Sequence, residues 1–139
     1  VIVVGFGARS GVGAPELSAA VRSVLAACGI PPDRVGVLAS LDRRVAERAA
    51  QELAASAGWR LLGFPAAALA AVPVPNPSAA AEAATGTAGV AEAAALLAAG
   101  PGGVLLAPKR IRGRTTVALA ESPTGRLAGG AAYFVTGHS

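Results

Sequence analysis

Three short runs of aliphatic and β-branched residues, at positions 1–4, 35–39 and 59–64, alternate with two stretches of helical periodicity. No other feature of the chain limits its fold as much. Parallel neighbours in a sheet need a crossover long enough to carry a helix, so strand–helix–strand–helix–strand reads as a largely parallel sheet covered by helices. In the first helical stretch, apolar residues recur at Leu17, Ala20, Val21, Val24, Leu25 and Cys28. Pro15 opens it, and Gly29 with Pro31 and Pro32 ends it. The second helix starts at a Ser40 or Asp42 cap, turns Val45, Ala46, Ala49, Ala50 and Leu53 inward, and closes at Gly58.

The second half is less regular. Residues 65–71 read as a short helix, followed by an extended connection stiffened by Pro73, Pro75 and Pro77. A brief helix at 79–84 leads into Thr85-Gly86-Thr87, and a longer one spans 88–99. Strands are expected at 104–107 and 115–120. Their link is too short for a parallel crossover, so they pair antiparallel and the sheet is mixed. The expected domain is 1–121. The tail from 122 to 139 is left open between an edge strand around Tyr133, Phe134 and Val135 and a loose end.

Composition narrows the chemistry. The chain has 139 residues, enough for one compact domain, and with 53% hydrophobic and 14% charged residues it is not a disordered segment. One Cys excludes an internal disulfide framework and any multi-cysteine zinc or iron–sulfur site. The one His, His138, stands near the end, and no Ser-His-Asp arrangement can be assembled around it. No metal site, resident cofactor or catalytic residue is assigned. Glu16 and Asp42 are the available general bases if hydrolysis occurs, with a first-turn helix charge and an N-cap as their structural alternatives. The net charge of +4 comes almost wholly from Arg and suits an anionic ligand. Nucleic acid is not expected, because no aromatic cluster accompanies the Arg residues to stack bases. Arg, Glu, Gly and Pro interrupt every apolar stretch, so no membrane span is expected. The start at Val1 reads as a trimmed chain without a visible targeting signal, for which a cytoplasmic location is the expectation.

Three segments are candidates for ligand contact. The Gly-rich stretch 5–13 stands between a strand and a helix, where Gly7, Arg9, Ser10 and Gly11 could cradle an anion with Arg9 as counter-charge. It lacks the third Gly of a dinucleotide fingerprint and the Gly-Lys-Ser/Thr of a Walker A loop, and a tight turn is the alternative. Thr85, Gly86 and Thr87 precede a helix, either capping it or offering donors to a carboxylate. Lys109 is the only Lys, at the head of the basic run Lys109, Arg110, Arg112 and Arg114. That run is either a solvated turn protecting a sheet edge or a set of anion contacts with Lys109 first among them.

Taken together these residues resemble the CobE family of cobalamin biosynthesis, which is also the C-terminal domain of CbiG-type cobalt-precorrin hydrolases. The resemblance is carried by the Gly-Phe-Gly-Ala-Arg-Ser-Gly at 5–11 with Glu16-Leu17 and by Ala39-Ser40-Leu41-Asp42. It continues through Val74-Pro75-Asn76-Pro77-Ser78, the small-residue run 84–95, and Leu106-Ala107-Pro108-Lys109 before Thr115-Thr116-Val117-Ala118. Where relatives often carry Lys shortly after the Asp, this chain has Arg43 and Arg44.

The resemblance implies a three-layer α/β/α domain with a mixed, mainly parallel sheet. It implies a role at the corrin-ring stage of cobalamin (vitamin B12) synthesis, binding a precorrin or corrinoid polycarboxylate as binder or carrier. Other enzymes of that pathway are the implied partners. The alternative is a hydrolase domain that opens the lactone of a precorrin-5A-type intermediate and releases acetaldehyde. Gly7, Arg9, Ser10, Gly11, Ser40, Thr85, Gly86, Thr87 and Lys109 are the expected ligand contacts, with Ala and Gly leaving room for the ring face.

Overall fold

The computed structural model describes residues 1–9, 11–72 and 90–122, and the backbone of 133–135. The elements are β1 (Ile2–Ala8), α1 (Ala14–Ala27), a 3-10 turn (Pro32–Arg34), β2 (Val35–Leu41), α2 (Asp42–Val45) and α3 (Arg48–Ala57). They continue as β3 (Arg60–Phe64), α4 (Ala66–Ala70), α5 (Val90–Ala99), β4 (Val104–Arg112), β5 (Thr115–Glu121) and β6 (Tyr133–Val135). The strands form one sheet in the order β4-β5-β1-β2-β3-β6. β1–β2 and β2–β3 are parallel, whereas β1–β5, β4–β5 and β3–β6 are antiparallel. The sheet is therefore mixed, with β1, β2, β3 and β4 running one way. Tyr133 to Val135 join it as an edge strand on β3.

Alternation along the strands divides the core in two. Val4, Phe6, Leu38, Leu61 and Leu119 pack beneath α1 and α3 with Leu17, Val21, Val24 and Leu53. Val3, Val37, Leu62 and Phe64 pack on the opposite face with Leu69 and the alanines of α5. Helices on both faces make three layers. α1 ends in a Schellman turn: Ile30 N–H donates to Leu25 C=O and Gly29 N–H to Ala26 C=O, with Gly29 at φ 70°. Trp59, buried, donates from Nε1 to Pro32 C=O at 3.0 Å and ties the turn after α1 to the start of β3.

Three expectations are corrected. β1 does not end at Val4 but runs to Ala8, so Gly5 and Gly7 are strand residues, not loop residues. Glycine is depleted in strands, but here α5 crosses so close that a Cβ on Gly5 would stand 2.1 Å from Ala91 C=O and 2.7 Å from Ala95 N. The small residues of α5 thus serve close helix-on-sheet packing: Ala91, Ala93, Ala94, Ala95, Ala98 and Ala99 are all buried. The helix expected from 40 or 42 to 58 is broken at Ala46–Glu47, where Glu47 is extended (φ −77°, ψ 148°) and caps α3. β4 continues through Pro108 to Arg112, because an edge strand with irregular register tolerates a proline. Its hairpin is only the two residues Gly113 and Arg114, with Gly113 at φ 63° in the manner of a type II′ turn.

Candidate functional site

Parallel strands of an α/β sheet deliver their loops to one edge, and that edge is where ligands bind in such folds. Here β1, β2 and β3 end at Ala8, Leu41 and Phe64, and the hairpin between β4 and β5 reaches the same edge, since Thr115 pairs Ala8. Arg9 stands immediately beyond β1 and is exposed; Gly11 follows at φ 90°, inside a turn in which Val12 N–H donates to Arg9 C=O. Arg43 stands two residues beyond β2, also exposed. Neither the Arg9 nor the Arg43 guanidinium is hydrogen-bonded or ion-paired to a described residue. Two exposed cations thus follow the ends of adjacent strands at this edge.

The other expected residues fall into distinct places. Gly7 is buried in β1, paired with Thr116. Ser40 is fully buried, and its hydroxyl donates to Phe6 C=O at 2.6 Å. Lys109 lies on β4, half-buried, and its N–H donates at 2.8 Å to Oε2 of Glu92, a buried carboxylate in the first turn of α5. Register places Lys109 just short of Arg110, which aligns through Val117 with Phe6. It stands two strand spacings, about 10 Å, to the side of Arg9 and roughly 10 Å further down the sheet. Ser10, Thr85, Gly86 and Thr87 lie outside the described residues, as do the prolines at 73–77 and His138.

The basic run on the β4–β5 hairpin divides. Arg112 Nε donates to Ser23 Oγ at 3.0 Å, and Arg114 makes a two-point contact with Glu16, Nη2 to Oε1 at 2.7 Å and Nε to Oε2 at 3.2 Å. Both side chains anchor the hairpin to α1. Hydrogen bonds from Arg114 hold the Glu16 carboxyl below its ordinary value of 4.5, which makes it a poor general base. A group whose folded pKa is depressed contributes stability that is present above its unfolded pKa and lost as pH falls through the folded one. The Tm of the native protein should therefore exceed that of Glu16→Gln at pH 7, with the gap closing on titration below about pH 4.5. A gap that is constant from pH 7 to 3 would refute the ionic contribution.

Asp42, the other expected base, directly follows β2 at the edge as the first residue of α2, whereas two acids further along are ion-paired. Glu47 pairs with Arg44, and Glu52 with Arg48 at 3.6 Å. Glu47, Arg48 and Glu52 border an open cleft of about 430 Å³ between Gly11–Ala14 and the start of α3. Arg43 and Arg44 were not among the residues expected to touch ligand. Their signal was positional: they follow directly on the end of a parallel strand. Glu92 had none, since a buried acid in an alanine-rich helix becomes meaningful only with Lys109 against it.

The family model described as "Cobalamin synthesis G C-terminus" matches residues 2–120. The chain belongs to this family. CobE-type and CbiG-type relatives agree with the assignment. Protein CobE of Sinorhizobium sp is 37% identical over 129 aligned residues, covering 88% of this chain and 81% of that protein. A crystal structure of CobE, a protein from the cobalamin (vitamin B12) biosynthetic pathway, matches with a TM-score of 0.75 at 33% identity, covering 86% and 89% of the two chains. Cobalamin biosynthesis protein chiG from Agrobacterium tumefaciens str. C58 gives 0.65 at 33% identity, covering 88% of this chain and 99% of that one. A putative cobalamin biosynthesis protein G homolog from Sulfolobus solfataricus has a TM-score of 0.70 at 24% identity. There the likeness is one of fold, across 86% of this chain but 36% of that longer one. Membership of the CbiG C-terminal family places the chain in cobalamin biosynthesis. No helix among the described residues is long and apolar enough to cross a membrane.

Proposed function

We propose that the chain binds a precorrin or corrinoid polycarboxylate intermediate at the C-terminal edge of its parallel strands, as a binder or carrier within cobalamin synthesis. The observation that carries this reading is the pair of exposed guanidiniums, Arg9 and Arg43, that follow the ends of adjacent strands and are not engaged by any described residue. A tetrapyrrole intermediate presents acetate and propionate carboxylates around the rim of a rigid macrocycle. Arginine suits them because its planar fork meets a carboxylate with two parallel hydrogen bonds. Lys109, offset two strands away, is assigned in this reading to a second carboxylate of the same rim.

The carrier reading is supported over lactone hydrolysis by the state of Glu16. Arg114 occupies both of its carboxylate oxygens and holds it below its ordinary value, which leaves Asp42, at the end of β2, as the acid the hydrolase alternative would use. Titration of the protein with a hydrogenobyrinic-acid-type intermediate, followed by its visible absorption, tests the proposal. A saturable spectral change is expected, with the intermediate recovered unchanged after prolonged incubation. No spectral change would remove the binding reading. Acetaldehyde release from a precorrin-5A-type lactone would replace the carrier with the hydrolase.

A further inference from the structure

The β1–β2 ladder stops before either strand does. Their parallel register runs from Ile2↔Val35 to Gly5↔Ala39, yet β1 continues to Ala8 and β2 to Leu41. Over those last residues β1 keeps only its antiparallel partner, β5, through Phe6↔Val117, Gly7↔Thr116 and Ala8↔Thr115. On the side facing β2, two side chains stand in for the missing ladder. Ser40 Oγ donates to Phe6 C=O at 2.6 Å, and Arg44 Nε donates to Ala8 C=O at 2.9 Å. These carbonyls are two residues apart and so point the same way. Arg44 is itself fixed from behind by its ion pair with Glu47, the residue at which the second helical stretch breaks into α2 and α3.

We infer that Arg44 is a positioning residue: it clamps the end of β1 through Ala8 C=O and thereby sets where Arg9 presents its guanidinium to an anionic ligand. The inference rests on the carboxylate-binding reading above and deepens it, dividing the arginines into two kinds. Arg9, the next residue after the clamped carbonyl, meets the ligand. Arg44 acts through Arg9. A half-buried guanidinium suits this task, because its fork can meet a carbonyl and a carboxylate at once, whereas an ammonium on a flexible stem holds neither direction. Ser40 belongs to the same device, which accounts for a hydroxyl that the sequence marks as a ligand contact being buried against a backbone carbonyl.

A double-mutant cycle on binding of the hydrogenobyrinic-acid-type probe tests the clamp, with Tm recorded for each variant. Arg9→Ala should weaken binding about tenfold and Arg44→Ala about fivefold, while Arg44→Ala in the Arg9→Ala background adds little. A merely structural role would lower Tm and leave affinity alone. Additive losses would make Arg44 an independent contact and overturn the inference. Arg44→Lys keeps the charge, and is the variant to rely on if Arg44→Ala folds poorly; it should bind no better than about half-way back to native affinity on a logarithmic scale. Full rescue by Lys would assign the effect to long-range charge and also overturn the clamp. If the native chain takes up no probe, the binding reading fails by itself, and amide exchange decides the clamp separately. Faster exchange at Arg9 and Gly11 in Arg44→Lys supports it, and unchanged exchange refutes it.

Discussion

Gly5→Ala should unfold the protein about 10 °C below its native Tm, a loss of about 3 kcal/mol for a single added methyl. The new Cβ would lie 2.1 Å from Ala91 C=O and 2.7 Å from Ala95 N. Both are backbone atoms of α5, so no side-chain rotation relieves the contact. The helix itself must rise from the sheet, and the fully buried contacts of α5 on it are made by alanines, too short to fill the gap. Displacement would also draw Glu92 away from the Lys109 N–H it accepts. Gly13→Ala is the matched control: its φ is −79° and the nearest atom to an added Cβ is 3.7 Å away, an ordinary contact. Thermal unfolding of the two variants decides the matter. A Tm for Gly5→Ala within about 2 °C of native would mean that α5 is not seated on β1 as described.

The largest effect on binding is expected from Arg9→Ala combined with Lys109→Ala, about 100-fold in the dissociation constant of the corrinoid probe at low ionic strength. In the proposed binding mode each side chain supplies a charge-assisted contact to a carboxylate. Because the two stand well over a strand spacing apart, their losses should add rather than overlap. The native affinity should fall as salt is raised, and that dependence should be weaker in the double variant. Arg112→Ala with Arg114→Ala serves as the contrast. Those guanidiniums already hold Ser23 and Glu16, so their removal should loosen the hairpin on α1 while affinity stays within about threefold of native. Double-variant affinity at Arg9 and Lys109 within about twofold of native would move the site elsewhere.

Much of the framework can be read along the chain because its signals are local. The periodicities of 2 and 3.6 mark β1, α1, β2, α3 and β3 in order, and the short link before Thr115 demands an antiparallel pair. Pro15 and Gly29 mark the ends of α1 because their preferences belong to single residues. Where the reading went astray, the deciding partner is distant. Gly5 looks like loop until α5, nearly ninety residues later, is laid over it. Nothing in the run from Asp42 to Gly58 predicts a break at Glu47, or that Arg44 beside it bonds to Ala8, thirty-six residues earlier. Pro108 argues against a strand except at an edge, and edge position is a property of the whole sheet.

The site divides in the same way. Arg9 and Lys109 stand out in the sequence as rare charges among small residues. By contrast, which arginines are tied to the fold is invisible there, because Arg112, Arg114, Arg9 and Arg43 are alike until their neighbours are known. The sequence by itself determined the α/β alternation, the family and a sparse cationic inventory, since these follow from periodicity, order and composition. Only the tertiary structure decided which cations are engaged, which glycines are spacing and where β1 and β2 part. Those outcomes depend on contacts between residues far apart in the chain, and such contacts exist only once the layers have packed.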